Sequence, residues 1–303
     1  MMLDRPTALL AVLVVEAALG YPARLPHPIN AVGQAITGLD GRWNRGNHRR
    51  LSGVLAVLLL INVGAGVGLV IEHFATGWTG TIAIILIATT GLAQRSLHDH
   101  VAAVARPLLA GDLDQARTAV SLIVGRDTAA LDASGITAAA TETLAESFCD
   151  GVVAPALWFL AFGLPGLFAF KCISTADSMI GHLDDRYRDF GWASARTDDA
   201  MNWIPARVAG VLICVAGGRG WRVMRRDAPK HLSPNSGWPE SAMAGALGVQ
   251  LGGGAAYDGE WIARAALGEG QCPVPRDLRR ALSIYRRACL GLWIITGALI
   301  WLR

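Results

Sequence analysis

Glu142, Glu146 and Asp150 stand at positions i, i+4 and i+8, a spacing that lays three carboxylates in one stripe along a helix. Like charges four residues apart repel, so the stripe calls for a cation (Mg²⁺, an ammonium group, Arg or Lys) or for water. It runs toward Val152–Phe170, nineteen residues without a charge. A second acidic stretch, Cys172–Trp203, holds Asp177, Asp184, Asp185, Asp189, Asp198 and Asp199. A helix over Thr175–Tyr187 would place Asp177, Gly181, Asp184 and Arg188 on one face. Carboxylates with open coordination positions suit Mg²⁺, which takes one or two of them together with phosphate oxygens; a charged stretch beside a membrane is the plainer reading. His231–Glu240, with two prolines, a glycine and small polar residues, is expected to be a structured loop. The run Ser241–Gly254 ends in Gly252-Gly253-Gly254. Such a backbone either approaches a phosphate closely or packs membrane helices tightly; both readings are open. His27 sits in a rigid Pro-His-Pro loop. No Walker-type G-x-x-x-x-G-K-[ST], dinucleotide G-x-G-x-x-G, H-E-x-x-H or G-x-S-x-G signature is present.

The elements that must position these groups are membrane helices. Hydrophobic residues make up 52% of the 303-residue chain and charged residues only 17%, below the roughly 25% usual for soluble domains. A spanning helix needs about 20 mostly apolar residues. Leu51–Ile71 is the clearest candidate, followed by Thr79–Ala93, Val152–Phe170, the weaker Val208–Gly218, and Ala288–Leu302. Ala8–Gly20, interrupted by Glu16, reads as a retained membrane segment rather than a signal sequence. Pro155, Gly163, Pro165 and Gly166 could break Val152–Phe170 into a re-entrant or broken helix; a single crossing is the other reading, and both are open. The fold class expected is therefore all-α: a polytopic helical membrane protein with about four to six membrane segments, forming one integral-membrane domain over 1–303. Between Gly20 and Leu51, five arginines face a single acid, Asp40, which makes that loop cytoplasmic. The turn His73–Gly77, without Lys or Arg, then faces outward, 94–151 returns to the cytoplasm and 218–287, rich in Lys and Arg, is cytoplasmic too; these two helical and loop regions are expected to carry the active site. Within them Asp112 is expected to cap a helix to Val124, and Ser134 or Asp132 a second one through Asp150. A net charge of +3 argues against a nucleic-acid partner, and five dispersed cysteines against disulfides or a zinc site.

Several motifs, read in order, carry a resemblance. They are Tyr21-Pro-x-x-x-Pro-His27-Pro; Gly125-Arg126-Asp127-Thr128 with Leu131-Asp132; Glu142-Thr-Leu-Ala-Glu146-Ser with Asp150-Gly151 and Ala154-Pro155; Lys171 with Asp177-Ser-Met-Ile-Gly181; and Ser233-Pro-Asn235-Ser236-Gly237-x-Pro239-Glu240 running on to Gly252-Gly253. Together, over about residues 20–260, they resemble the adenosylcobinamide-phosphate synthase family of cobalamin biosynthesis (CobD/CbiB). Ser147 departs from the family, which often has Asn there.

The resemblance implies a multi-spanning enzyme of the cell inner membrane with its site facing the cytoplasm. Such an enzyme joins the free propionate of adenosylcobyric acid to aminopropanol or aminopropanol O-phosphate by an amide bond. Because a carboxylate is a poor electrophile, ATP is expected to activate it as an acyl phosphate and Mg²⁺ to neutralise the phosphates. A carboxylate base must then take a proton from the amine. On this expectation Glu142, Glu146, Asp150 and Asp177 bind Mg²⁺–ATP or act as base, with Glu146, Asp150 and Asp177 as metal ligands. Arg126, Lys171 and His27 hold phosphate or carboxylate, and Asp127 orients Arg126 or binds metal. Asn235, Ser236 and Glu240 contact substrate amides or phosphate. The expected partners are these substrates, membrane lipid and a soluble protein of the corrinoid pathway. The competing class is a non-catalytic membrane sensor resembling AmpE; the Gly-Arg-Asp-Thr and Ser-Pro-Asn-Ser-Gly elements favour the enzyme.

Overall fold

The computed structural model describes residues 4–22, 24–257 and 259–302. Along the chain run α1 (Arg5–Leu19), α2 (Ile29–Trp43), α3 (Arg49–Phe74), α4 (Gly77–Thr89), α5 (Gln94–Ala110), α6 (Leu113–Ser121), α7 (Ala133–Phe148), α8 (Ala154–Ile180), α9 (Trp192–Gly217), α10 (Trp221–Asp227) and α11 (Gly237–Leu247). Four short strands follow, β1 (Leu251–Gly252), β2 (Ala255–Tyr257), β3 (Glu260–Ile262) and β4 (Ala266–Leu267), and α12 (Pro275–Trp301) closes the chain. Among the described residues, five helical stretches are long and apolar enough to cross a membrane: Gly46–Phe74, Gly77–Ala110, Ala133–Ile180, Trp192–Gly217 and Pro275–Trp301. The expected all-helical membrane architecture is what forms. Two compact units divide the chain. Unit 1 takes the described residues up to Ala93, Ala154–Asn202 and the chain from Thr296; unit 2 takes Gln94–Val153 and Trp203–Ile295.

In unit 1, α3 and α8 pack backbone to backbone because glycines face the contact. A Cβ on Gly68 would lie 2.4 Å from the Pro165 nitrogen, and one on Gly64 3.0 Å from the Phe168 carbonyl oxygen. Lipid offers no hydrophobic drive between helices, so this close approach supplies the attraction by dispersion. Ile36, Ala56, Leu60, Ala176, Ile180 and Phe190 form a core where α2, α3 and α8 meet. α1 begins with the Asp4 carboxylate capping the Thr7 N–H at 2.9 Å and buries Glu16. Its 15 residues extend about 22 Å, less than the roughly 30 Å of a bilayer core.

The break expected in Val152–Phe170 falls at Gly163, whose φ of 69° and ψ of −151° interrupt α8. A break frees backbone groups that lipid cannot satisfy. Here the Leu164 N–H, at the head of the second half-helix, donates to Glu72 Oε1 of α3 at 2.8 Å. A Cβ on Gly163 would meet that same oxygen at 2.2 Å.

Three expected boundaries move. Val208–Gly218 is only the last part of α9, which passes straight through Pro205. Proline at 205 leaves the Met201 carbonyl without its helical donor, and the Trp158 indole Nε1–H donates to it at 3.2 Å. The helix expected over Thr175–Tyr187 stops at Ile180. Asp184 accepts the N–H groups of Arg186 (2.8 Å) and Tyr187 (3.0 Å) and forms a turn instead, so Asp177 and Asp184 share no helix face. The helix expected to reach Asp150 ends at Phe148, and a π-helical turn, Cys149–Val153, carries Asp150.

In unit 2, α5, α6 and α7 pack together, and α7 also packs on α11. From α12 the Tyr285 hydroxyl donates to the Gln94 carbonyl at 2.8 Å and the Trp293 indole to the Gln94 side chain at 2.9 Å. As expected, Asp112 and Asp132 cap α6 and α7, accepting from Gln115 N–H (3.0 Å) and Gly135 N–H (2.7 Å).

Gly163→Ala is expected to destabilise unit 1 by about 1–3 kcal/mol, the usual cost of forcing a side chain into that backbone region, and to displace Glu72. Thermal melting in detergent micelles measures it; an unchanged midpoint would refute the strain at the break.

Candidate active site

α7 carries Glu142 and Glu146 and the π-helical turn after it carries Asp150, and the three meet different surroundings. Glu142 is buried, Glu146 exposed and Asp150 half-buried. Arg126, from the loop before α7, places Nη2 2.5 Å from Glu142 Oε2, with both side chains largely buried. Glu142 Oε1 accepts the Gly252 N–H at 2.8 Å. The cation that the stripe called for is thus supplied to Glu142 by the protein. Burial of this pair is tolerable because the carboxylate also receives a backbone donor.

Gly252, Gly253 and Gly254 have φ of 73°, 87° and 137°. Gly252 ends β1 and the three lie outside any helix, while Gly245, in the α11 part of the same run, packs tightly, since a Cβ there would lie 2.8 Å from Gly220 Cα. α11 ends at Gly248 in the left-handed conformation. The β2–β3 hairpin then ties this region to the Arg126 loop: the Asp127 N–H donates to the Ala256 carbonyl at 2.9 Å, and Asp127 Oδ2 accepts the Gly259 N–H at 2.8 Å. Asp127 therefore anchors the loop that carries Arg126.

The Ser233–Glu240 segment closes the cluster. Ser236 Oγ donates to Glu146 Oε1 at 2.8 Å. Ser233 Oγ accepts the N–H groups of Asn235 and Ser236, both at 3.2 Å, folding the loop on itself. Asn235 is buried, with its Oδ1 3.4 Å from Arg207 Nη1. That guanidinium lies over the rings of Trp203 and Trp238, 4.2 and 4.6 Å from their centroids. Glu240 is buried in the first turn of α11, with His231 Nε2 3.7 Å from its Oε1. Burial, then the negative charges of Glu146 and Glu142, hold the Glu240 carboxyl well above the usual carboxylate range, against the pull of Arg264 and Arg126. Three acids share two arginines here. Arg207, His231, Arg264 and Tyr257, whose ring lies under the Arg264 guanidinium at 5.3 Å, are the members that sequence reasoning missed. No spacing links them to the stripe, although His231 opens a loop already singled out.

Asp177, Lys171 and His27 belong to unit 1. His27 and Lys171 line a cavity of about 280 Å³ with Val63, Gly64, Val67 and Phe168. His27 Nδ1 accepts the Ile29 N–H at 3.2 Å, and burial followed by the charge of Lys171 pushes its pKa down. Asp177 and Lys171 both act electrostatically on Asp198, whose Oδ2 accepts from Asn202 Nδ2 at 3.0 Å. Among the described residues, no three His, Cys, Asp or Glu side chains form a group able to hold a metal ion.

Two outcomes follow from this geometry. Arg126→Met leaves Glu142 buried without its cation and is expected to cost about 3–5 kcal/mol, whereas Glu142→Gln, which still accepts from Gly252, costs less. Urea titration in micelles compares them, and equal losses would refute the pairing. Glu240 holds its proton more tightly folded than unfolded, so stability should fall as pH rises above the ordinary carboxylate range. Glu240→Gln should flatten that fall. Melting temperature followed against pH checks it, and an identical slope in the variant would refute the assignment.

The CobD/Cbib protein family matches residues 9–285. Relatives named "Cobalamin biosynthesis protein CobD" include one from Rhodobacter capsulatus, 47% identical over 300 residues and 95% of each chain. Another, from Brucella anthropi, is 48% identical over 270 residues and 82% of each chain. A third, from Geobacter metallireducens, is 43% identical over 282 residues and 88% of each chain. No solved structure matches the chain. With nearly its whole length matched, and the Arg126, Glu142 and Glu240 elements all inside that match, this chain belongs to the CobD/Cbib protein family.

Proposed function

We propose that this chain is a membrane enzyme of cobalamin biosynthesis that joins the free propionate of adenosylcobyric acid to aminopropanol or its O-phosphate. Family membership supports the pathway. The observation that carries the chemistry is the cluster of Glu142, Glu146 and Glu240 around Arg126.

In the proposed reaction the propionate oxygen attacks the terminal phosphorus of ATP, giving an acyl phosphate and ADP. The amine nitrogen then attacks the acyl carbon, the C–O bond to phosphate breaks, and the nitrogen loses a proton. Arg126, oriented by Glu142, holds phosphate or carboxylate with its remaining N–H groups. Glu146 is exposed and bonded through Oε1 to a neutral hydroxyl. It is the carboxylate of the stripe best suited to take the amine proton or to hold a cation. Asn235 and Ser236 offer polar contacts to substrate amides.

Mg²⁺ usually takes one or two protein carboxylates completed by phosphate oxygens and water, and the exposed Glu146 offers one such carboxylate. Glu146 and Asp150 would hold it in unit 2. Bound Mg²⁺ neutralises phosphate charge. In unit 1, Lys171 and His27 are proposed to hold an anionic group, and Asp177 to serve as a further carboxylate for proton or metal. The arginines between Gly20 and Leu51 support placing the polar loops on the cytoplasmic side of the inner membrane.

Membranes containing the overexpressed chain, given adenosylcobyric acid, aminopropanol phosphate and Mg²⁺–ATP, are expected to form the amide and ADP in equal amounts, read by mass spectrometry. No amide, and no substrate-dependent ADP, would overturn the reading. Glu146→Gln should slow amide formation at least about 100-fold. Near-normal rates in both Glu146→Gln and Asp177→Asn would remove the acidic residues from the chemistry.

A further inference from the structure

His231 has two ring nitrogens with different neighbours, and each neighbour constrains it. The Ser233 N–H lies 3.0 Å from Nδ1. The Ser233 carbonyl oxygen also lies 3.3 Å from Nδ1, but the shorter contact is a backbone N–H, which can only donate, and this assigns Nδ1 as the acceptor, without a proton. The ring's proton therefore sits on Nε2, which lies 3.7 Å from Glu240 Oε1. The ring cannot turn away easily. Its side chain is mostly buried, and a Cβ on Gly237 would lie 2.6 Å from the His231 Cβ, so the loop folds closely over it. The same loop carries Ser236, which bonds Glu146. The charged groups acting on Glu240 are Glu146 and Glu142 from α7, Arg126 from the loop before it and Arg264 from the strand region. None of the bonds described above holds the Glu240 carboxyl in one orientation. A donor closing on Oε1 from Nε2 would do so, and would leave any exchangeable proton on Oε2.

We propose that His231 is a positioning residue, whose Nε2–H fixes the Glu240 carboxyl so that Oε2 is the atom through which this buried acid exchanges a proton with the reacting groups. The assignment rests on the amide-forming reading for its consequence but not for its geometry. At 3.7 Å the contact is longer than a hydrogen bond, and such contacts commonly tighten once substrate is bound.

The two nitrogens can be tested apart. His231→Gln keeps a donor near the Nε2 position, and His231→Asn keeps an acceptor near Nδ1. In the membrane assay His231→Phe and His231→Asn are expected to lower kcat about 10- to 100-fold, the size usual for a partner that orients a working group. KM for the amine should stay near wild type, and His231→Gln should restore most of kcat. Equal activity in the Asn and Gln variants, or an unchanged kcat in His231→Phe, would overturn the proposal. A second measurement is independent of the reaction. In ¹⁵N-histidine-labelled protein in micelles, the His231 signals (identified by their loss in His231→Gln) should show an unprotonated Nδ1 and a protonated Nε2, and Glu240→Gln should shift Nε2 alone. An unmoved Nε2 overturns the proposal whatever the chain catalyses. Wild-type membranes that form no amide would instead sink the amide-forming reading, leaving the nitrogen spectrum to decide the role of His231.

Discussion

The buried pair between Arg126 and Glu142 is the contact on which the rest of the candidate site depends. It joins a loop, a helix and a glycine turn that are far apart in sequence: Arg126 precedes α7, Glu142 lies within it, and Gly252 donates the backbone N–H that completes the carboxylate. A buried charge without such partners would be strongly destabilising. Together with Asp127, which clamps the β2–β3 hairpin to the same loop, the pair fixes where the guanidinium points. With Glu142 paired to Arg126, and burial together with its acidic neighbours holding the proton on Glu240, Glu146 is the exposed carboxylate of the cluster.

Unit 1 solves a different problem, satisfying backbone in an apolar setting. α3 and α8 approach closely because Gly64 and Gly68 carry no side chain. The price of breaking α8 at Gly163 is a free N–H, which Glu72 accepts. Glu72 stands just past the uncharged run Leu51–Ile71 of α3, so a composition-based reading treats it as a boundary. Trp158 does the same service for the carbonyl that Pro205 leaves without a donor. In both cases a polar side chain from another helix stands in for the missing helical bond, as bilayer-spanning backbone requires.

The membrane helices, the caps at Asp112 and Asp132, and the broken character of α8 were legible because each depends on residues within one or two turns. The three-carboxylate stripe was legible as a pattern and misleading as a unit. A period of four residues fixes which side of α7 the acids occupy, but not what faces them, and the π turn takes Asp150 out of the α-helical register. The Asp177–Asp184 face failed for a local reason: the Asp184 carboxylate competes for backbone N–H groups and makes a turn.

Apolar content, helical periodicity and an ordered series of motifs determined, from the sequence by itself, that this is a helical membrane protein, and they fixed its family. Tertiary structure alone decided which acid pairs with Arg126, that the Gly252 N–H meets Glu142, and that His231 and Arg264 stand at Glu240. The reason is physical. Burial and helix formation follow from residue type and near-neighbour spacing, while the state of a charged group depends on which distant segment brings a donor, a counter-charge or water to it.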